Sequence, residues 1–257
     1  MTKEQTMKVL QEIKDDLKAK GWNVLGLFLQ GSQNYGLEVF SDEYQSDIDC
    51  KAFIMPSFED LYYNRMVSTK SDTPYGLVEI KDIRKFAELM RKSNPSYIEL
   101  LFTEYKIAED LDIFQYGQTI VDDRRAKLMR AAYGMLTQKI VALKKPFEGK
   151  LDVLAQYGYD PKQLHHIVRL YYLIRDLHDG TKAYKDILRP QGNERRFLID
   201  IKLGKYSLED AEVFADKYDN MVKVIVDNTV IEGTISNESI DKIDTTIMDL
   251  VEKTLHG

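Results

Sequence analysis

Residues 31–51, GSQNYGLEVFSDEYQSDIDCK, decide how the rest of the chain is read. An apolar run from Val24 to Leu29 precedes them and a second, Ala52 to Met55, follows. The pattern predicts a strand, a tight turn at Gly31-Ser32, a short helix, a loop, and a second strand carrying Asp47 and Asp49. Side chains alternate between the two faces of a strand. Asp47, Asp49, Lys51 and Phe53 therefore share one face, and Ile48, Cys50, Ala52 and Ile54 share the other. The second set is apolar and fits a core. The first puts two acids and a lysine side by side. Carboxylates that close repel, so a cation is expected between them unless the strand end is well solvated. Oxygen-only ligands suit a hard cation such as Mg²⁺, bound jointly by protein carboxylates and substrate phosphates.

The turn supplies the complement. Glycine lets backbone approach a ligand closely, and free N–H groups at the start of the following helix would face a triphosphate. A phosphate cradle followed by an Asp-x-Asp strand is the arrangement that nucleotidyl transfer needs. Two metal ions there orient the triphosphate, activate the attacking oxygen and neutralise the leaving pyrophosphate. The competing reading is a surface loop feeding an ordinary edge strand.

Gly31-Ser32 followed by Asp47-Ile48-Asp49 resembles the signature of the DNA polymerase β-type nucleotidyltransferase superfamily. Within it, GSQNYGL over residues 31–37 and SDID over 46–49 are similar to the predicted bacterial and phage nucleotidyltransferases associated with RNA repair. A second block, YGYDPKQLHHIVRL over residues 157–170, carries the same resemblance. The resemblance spans residues 25–225. It implies an NTP substrate such as ATP, an RNA end as acceptor, and two Mg²⁺ (or Mn²⁺) ions on Asp47, Asp49 and a third carboxylate. Two departures stand out. Residues 40–45 lengthen the connection from turn to strand, and relatives often carry an acid where this chain has Leu77.

The third carboxylate is sought on the next strand, expected from Tyr75 to Ile83. Alternation places Leu77, Glu79 and Lys81 on one face and Val78, Ile80 and Asp82 on the other. Glu79 is the candidate, because an acid within an apolar strand is costly to bury without a partner. A surface-facing glutamate is the alternative reading. Asp82 is the substitute candidate, and is equally well placed to cap the next helix.

Further out, Met7, Leu10, Ile13 and Leu17 mark an amphipathic helix over residues 2–20, stopped by Gly21. Phe58 to Arg65 reads as a helical excursion, Ser68 to Pro74 as a polar turn, and Ile83 to Lys92 as a helix. Asn94-Pro95 starts another helix with an N-cap and a proline at the first position. Asn94 and Glu99 belong to the scaffold. Strand signals fade after Tyr105. Asp122 to Leu143 is a long helical pattern, and 144–159 reads as a connection. Asp160-Pro161 is a strong helix start. Along that helix Lys162, His166 and Arg169 recur on one face. Arginine offers phosphate a planar fork and lysine a point charge, so the stripe is read as holding phosphates or the acceptor, against an ordinary solvated face. His165 points elsewhere and is structural. Arg189, Arg195 and Arg196 form a second basic stretch. Ser207 opens a helix to Ile225 with a capping-box pattern, and Ser236 or Asn237 caps a last helix.

The 257 residues carry 44% apolar and 30% charged side chains, ordinary for a globular protein. A net charge of −6 argues against broad, sequence-independent binding to long nucleic acid. A single cysteine excludes a disulfide framework and a cysteine-rich zinc site, and fits a reducing cytoplasm. No apolar run is long enough to span a membrane, and the charged amino-terminal helix pattern lacks a signal-peptide core.

The resulting expectation is an α+β protein. Residues 1–104 would form a small mixed-sheet nucleotidyltransferase core, and residues 105–257 a helical domain closing the cleft over nucleotide and acceptor. Asp47, Asp49 and Glu79 would be catalytic and metal-binding. Gly31, Ser32, Lys51, Lys162, His166 and Arg169 would bind the nucleotide. Transfer to a protein side chain or small molecule, and nucleotide binding without catalysis, are the competing functions.

Overall fold

The computed structural model describes residues 2–39, 46–145, 148–229 and 235–256. The lengthened connection at 40–45 lies outside the described residues, as does Pro146. The chain divides into two compact units, residues 1–123 with 235–257, and residues 124–234. The division therefore falls at 123/124 rather than at 104, and the last helix belongs to the first unit.

The first unit opens with α1 (Lys3–Ala19), whose N-terminus is closed by a Thr2–Gln5 capping box. Leu10, Ile13 and Leu17 are its buried stripe. Strand β1 (Val24–Leu29) leads into a turn of 3-10 helix, Ser32–Tyr35. Then follow β2 (Cys50–Ile54), α2 (Phe58–Tyr62), β3 (Ser68–Thr73) and β4 (Gly76–Asp82). Helices α3 (Phe86–Arg91) and α4 (Pro95–Ile98) and the short strand β5 (Lys106–Ile107) complete this half. The five strands make one mixed sheet in the order β3-β4-β2-β1-β5. β2 runs parallel to β4, and the other neighbours are antiparallel.

Both faces of β2 are covered. On one face Ile48, Cys50, Ala52 and Ile54 join Val78 and Ile80 of β4 and the α1 stripe in a single apolar cluster. Each buried Val, Leu or Ile side chain of this cluster contributes about 1.5–3 kcal/mol. On the other face Phe53 packs edge-on against Phe28 at 6.1 Å and Phe86 at 4.9 Å.

Three expectations are corrected here. Residues 68–73 are a strand, not a turn. They are polar because β3 is an edge strand with most of its side chains exposed, and edges of this kind are guarded by charge. The sheet extends past residue 104, because β5 pairs with β1, and a two-residue strand carries no periodic signal. The strand bearing the carboxylates starts at Cys50, so Asp47 and Asp49 precede it in extended chain.

In the second unit, α5 (Gly117–Ala142) continues from residue 124, followed by α6 (Leu151–Tyr157), which lies within the expected connection. Helix α7 (Pro161–Asp179) starts on the predicted Asp160 cap, whose side chain accepts from the Lys162 N–H at 2.9 Å. It packs against α9 (Gly192–Lys202) and α10 (Leu208–Asp227), with α8 (Tyr184–Ile187) alongside. Arg195 and Arg196 of the second basic stretch sit on α9. The Ser207–Asp210 capping box is present. The unit contains no strand among its described residues.

The last helix, α11 (Glu238–His256), returns to the first unit and packs on α3. Ile240, Ile243 and Ile247 are buried, and Arg91 bridges Asp241 at 2.8 Å and Asp244 at 3.0 Å. Among the described residues no helix is long and apolar enough to cross a membrane.

Candidate functional site

The site is built where β1 and β2 lie side by side. Gly31 leaves β1 with φ of 84°, a backbone conformation that glycine adopts without the steric cost other residues carry. The chain then tightens into the Ser32–Tyr35 turn, closed by Gly31 O accepting from Asn34 N–H at 3.1 Å and Ser32 O from Leu37 N–H at 2.8 Å. Two side chains pin the turn from within. Tyr35 Oη donates to the buried Glu99 at 2.7 Å, and Asn34 Oδ1 accepts from Thr103 Oγ1 at 2.7 Å. Asn94 caps α4 through the Ser96 N–H at 3.0 Å. Asn94 and Glu99 thus have the scaffold roles expected of them.

The turn and the carboxylates are brought together by one backbone bond, Gln30 N–H to Asp49 O at 2.7 Å. Ahead of β2 the alternation of faces persists: Ser46 and Ile48 are buried, Asp47 is exposed and Asp49 half-buried. The ladder to β4 is incomplete here for a definite reason. Ile48 N–H still reaches Tyr75 O at 3.0 Å, but Leu77 N–H turns to the Asp49 side chain, 3.3 Å from Oδ1. The close approach of the two segments requires Gly76. A Cβ there would lie 2.6 Å from Ile48 O, and its φ of 155° is strained for any other residue. Among the described residues neither Asp47 nor Asp49 has an ion-pair partner.

The expected third carboxylate is placed differently. In the β2–β4 register Glu79 stands opposite Lys51, one step beyond Asp49, and Leu77 is the residue bonded to Asp49. Glu79 accepts from Lys51 at 3.3 Å, Lys81 at 2.9 Å and Tyr97 Oη at 2.9 Å. Burial pushes its carboxyl up, but Lys51, Lys81 and Tyr97 outweigh that and hold it below the usual carboxylate range. Asp82 is fully buried. It pairs with Arg84 at 2.6 Å and accepts from the Arg84 N–H at 2.9 Å, so the capping role is the one it fills. Among the described residues no group of three or more His, Cys, Asp or Glu is arranged to hold a metal ion.

Lys51 is only 5% exposed. Its ammonium faces Glu79, Ser96 O at 3.2 Å and Ser96 Oγ at 3.2 Å, which uses all three of its donors. It also lies 3.7 Å above the Tyr97 ring. The lysine expected to neutralise a triphosphate is thus committed inside the protein. Burial lowers its pKa, with Glu79 and Glu99 pulling the other way. Burial thus disfavours the charged form of Lys51, while the charged form of the less buried Glu79 is favoured by its partners. Lys81 was placed on the Glu79 face by alternation, whereas Ser96 and Tyr97 were missed by sequence reasoning. Only the Asn94-Pro95 helix start pointed at that segment, and nothing local marked Tyr97.

In the second unit Lys162 is exposed while His166 and Arg169 are half-buried on α7. His165 bonds Leu198 O at 3.0 Å, and burial lowers its pKa to about 3, as suits a structural histidine. Burial also holds His166 well below the usual histidine range, and the Arg169 charge adds to it. Lys139 of α5 was missed. Burial lowers it, followed by the charge of Lys162, with Asp160 opposing and Arg169 adding. It lies close enough to the stripe to feel these charges, a neighbourhood that no helical periodicity within α5 announces.

No family model matches the chain, and no curated protein matches it.

Proposed function

We propose that the first unit is the catalytic core of a Mg²⁺-dependent nucleotidyltransferase that moves an NMP from an NTP to an acceptor hydroxyl. One observation carries this reading. Two carboxylates without ion-pair partners among the described residues share the open side of the chain entering a central strand, and a backbone bond ties them to a glycine turn. The donor set is all oxygen and suits a hard cation. Asp49 spends one oxygen on Leu77 N–H and keeps the other, and Asp47 is exposed. Mg²⁺ bound there supplies charge neutralisation for the triphosphate and lowers the pKa of the attacking hydroxyl.

Asp47 and Asp49 fix the α-phosphate end of the nucleotide, and the Gly31-Ser32 backbone receives its β- and γ-phosphates. The acceptor oxygen bonds to the α-phosphorus as the bond to the bridging oxygen breaks. Pyrophosphate leaves, and the hydroxyl proton passes to a carboxylate of the pair. Glu79 is assigned to Lys51 and Lys81, since reaching a metal at Asp49 would cost it both contacts. The face of Lys162, Arg169 and Lys139, with His166 as a neutral imidazole among them, is read, within its own unit, as an anion-holding surface. The acceptor is taken to be an RNA end on the resemblance of the two sequence blocks.

The test is pyrophosphate release and labelled-nucleotide transfer with Mg²⁺ and each NTP, with and without total tRNA. Asp49→Asn is expected to lower transfer at least about 10³-fold without changing the fold. Full activity in that variant would sink the assignment. Label on protein in place of RNA would redirect the acceptor. A second reading, nucleotide binding without transfer, is favoured by one feature: the residue bonded to Asp49 is Leu77, and the nearest strand acid is neutralised by two lysines. Binding of NTP with no pyrophosphate release, whatever the acceptor, identifies it.

A further inference from the structure

Gln33 is the exception within its turn. Asn34 and Tyr35, its neighbours, have their side chains bonded to Thr103 and Glu99. Gln33 is 7% exposed, and its carboxamide oxygen and nitrogen are both sealed from solvent with no hydrogen-bond partner among the described residues. A buried amide with neither donor nor acceptor satisfied is destabilising, and large enough to matter against the marginal stability of a domain. A methionine of similar length fills the same space without that cost. A residue that weakens the free protein in this way is expected to gain its partner in another state of the molecule.

The turn has the means to reach such a state. Gly31 and Gly36 bracket it, both in left-handed conformations (φ of 84° and 66°), and neither has an atom within 4 Å of where a Cβ would stand. The turn is joined to Asp49 through Gln30 N–H, so it adjoins the carboxylates to which the triphosphate was assigned. We propose that Gln33 is a further nucleotide-contacting residue: when NTP binds, the Ser32-Gln33 end of the turn shifts on Gly31 while Asn34 and Tyr35 stay bonded to Thr103 and Glu99, and Gln33 Nε2 donates to a phosphate oxygen. The inference rests on the nucleotidyltransferase reading. It adds a residue which that reading does not use and a movement which it does not require.

The test pairs two measurements on Gln33→Met, with Gln33→Leu as a second apolar replacement. The first is thermal unfolding of the free protein, where removing the orphaned amide is expected to raise Tm by a few degrees. The second is Mg²⁺-dependent binding of the four NTPs and of the matching nucleosides. Affinity for every NTP is expected to fall about tenfold, and nucleoside binding to stay unchanged. Lower Tm in both variants with unchanged NTP affinity would mean that buried water satisfies the amide in the free protein, and the proposal fails. A loss confined to one base would move the contact from phosphate to base and overturn it as stated. Wild-type protein that binds no NTP removes the nucleotidyltransferase reading and this inference together. Wild-type binding with no effect of either variant removes this inference alone.

Discussion

Asp49 and Lys51 sit two residues apart on the same face of the chain, and the fold treats them oppositely. Around Asp47 and Asp49 the ladder is left incomplete, one N–H is lent to a side chain, and no cation among the described residues approaches. Around Lys51 every donor is used, Glu79 is shared between two lysines, and Tyr97 closes the cluster with its ring and its hydroxyl. Isolated charge is costly away from water, so a charged residue is either paired inside the protein or left open to a ligand. The change from one solution to the other takes a single step along the ladder. The open half is where chemistry is proposed, and the closed half holds the strand that presents it.

Removing Lys51 should break this contrast most severely. Lys51→Met leaves Ser96 Oγ without its donor, Ser96 O with Gln30 Nε2 alone, and Glu79 with one lysine fewer, all at buried or half-buried positions. The expected loss is about 3 kcal/mol of unfolding free energy in a urea titration, with an unchanged m-value. A loss below about 1 kcal/mol would show that the closed half is not a structural lock.

Gly76→Ala attacks the open half through its backbone. The new Cβ would meet Ile48 O, a backbone atom that moves only with the carboxylate segment itself. Strain and overpacking together are expected to destabilise by about 2–3 kcal/mol. Transfer or nucleotide affinity should fall further than that stability loss explains. Gly21→Ala, strained at its φ of 88° but with open space around it and outside the site, is the control for strain without displacement.

A parallel contrast in the second unit is read by pH. His165 is sealed on Leu198 O with a pKa near 3, against about 6.5 in the unfolded chain. Below pH 6.5 the unfolded state binds a proton that the folded state refuses, so stability falls as pH is lowered. Between pH 7 and 5 the loss is about 2 kcal/mol for one such histidine, and His166 adds a loss of the same sign. His165→Asn keeps an N–H for the Leu198 carbonyl and should lose about 2 kcal/mol less over that range. An identical slope in wild type and variant would place the titration elsewhere.

How much of this was legible follows from whether the cause is local. The α1 stripe, the two faces of β2 and β4, and the caps at Asn94, Asp160 and Ser207 are written in periodicity and in residue type, and the structure has them. The polar residues of β3 read as a turn, because an edge strand is stabilised by its neighbour and not by its own apolar content. The start of β2 was misjudged by three residues because a side chain, Asp49, replaces a backbone acceptor. The membership of α11 rests on Arg91 and on a packed isoleucine stripe 150 residues away in sequence. Sequence places Lys51 beside the acids correctly. Its commitment to Ser96 and Tyr97, like the isolation of Gln33, exists only once the chain has folded.

Glu79→Gln is expected to have the smallest effect on stability and to discriminate best between its two assignments. The side chain is 29% exposed, so solvent screens the lost charge, and the amide keeps an oxygen for Tyr97 Oη. Lys51 retains both Ser96 acceptors and the Tyr97 ring. A loss of about 1 kcal/mol is expected. It should be larger at neutral pH than at pH 3, because a carboxylate with a depressed pKa contributes above its unfolded pKa and loses that contribution as pH falls through the folded one. If Glu79 belongs to the closed half, transfer and Mg²⁺-dependent nucleotide binding should change less than about fivefold. If it leaves its lysines to complete the metal site, transfer should drop as far as in Asp49→Asn while stability in the absence of Mg²⁺ changes by the same 1 kcal/mol. That result would move the boundary between the two halves of the strand face one step along the ladder, from between Asp49 and Lys51 to beyond Glu79.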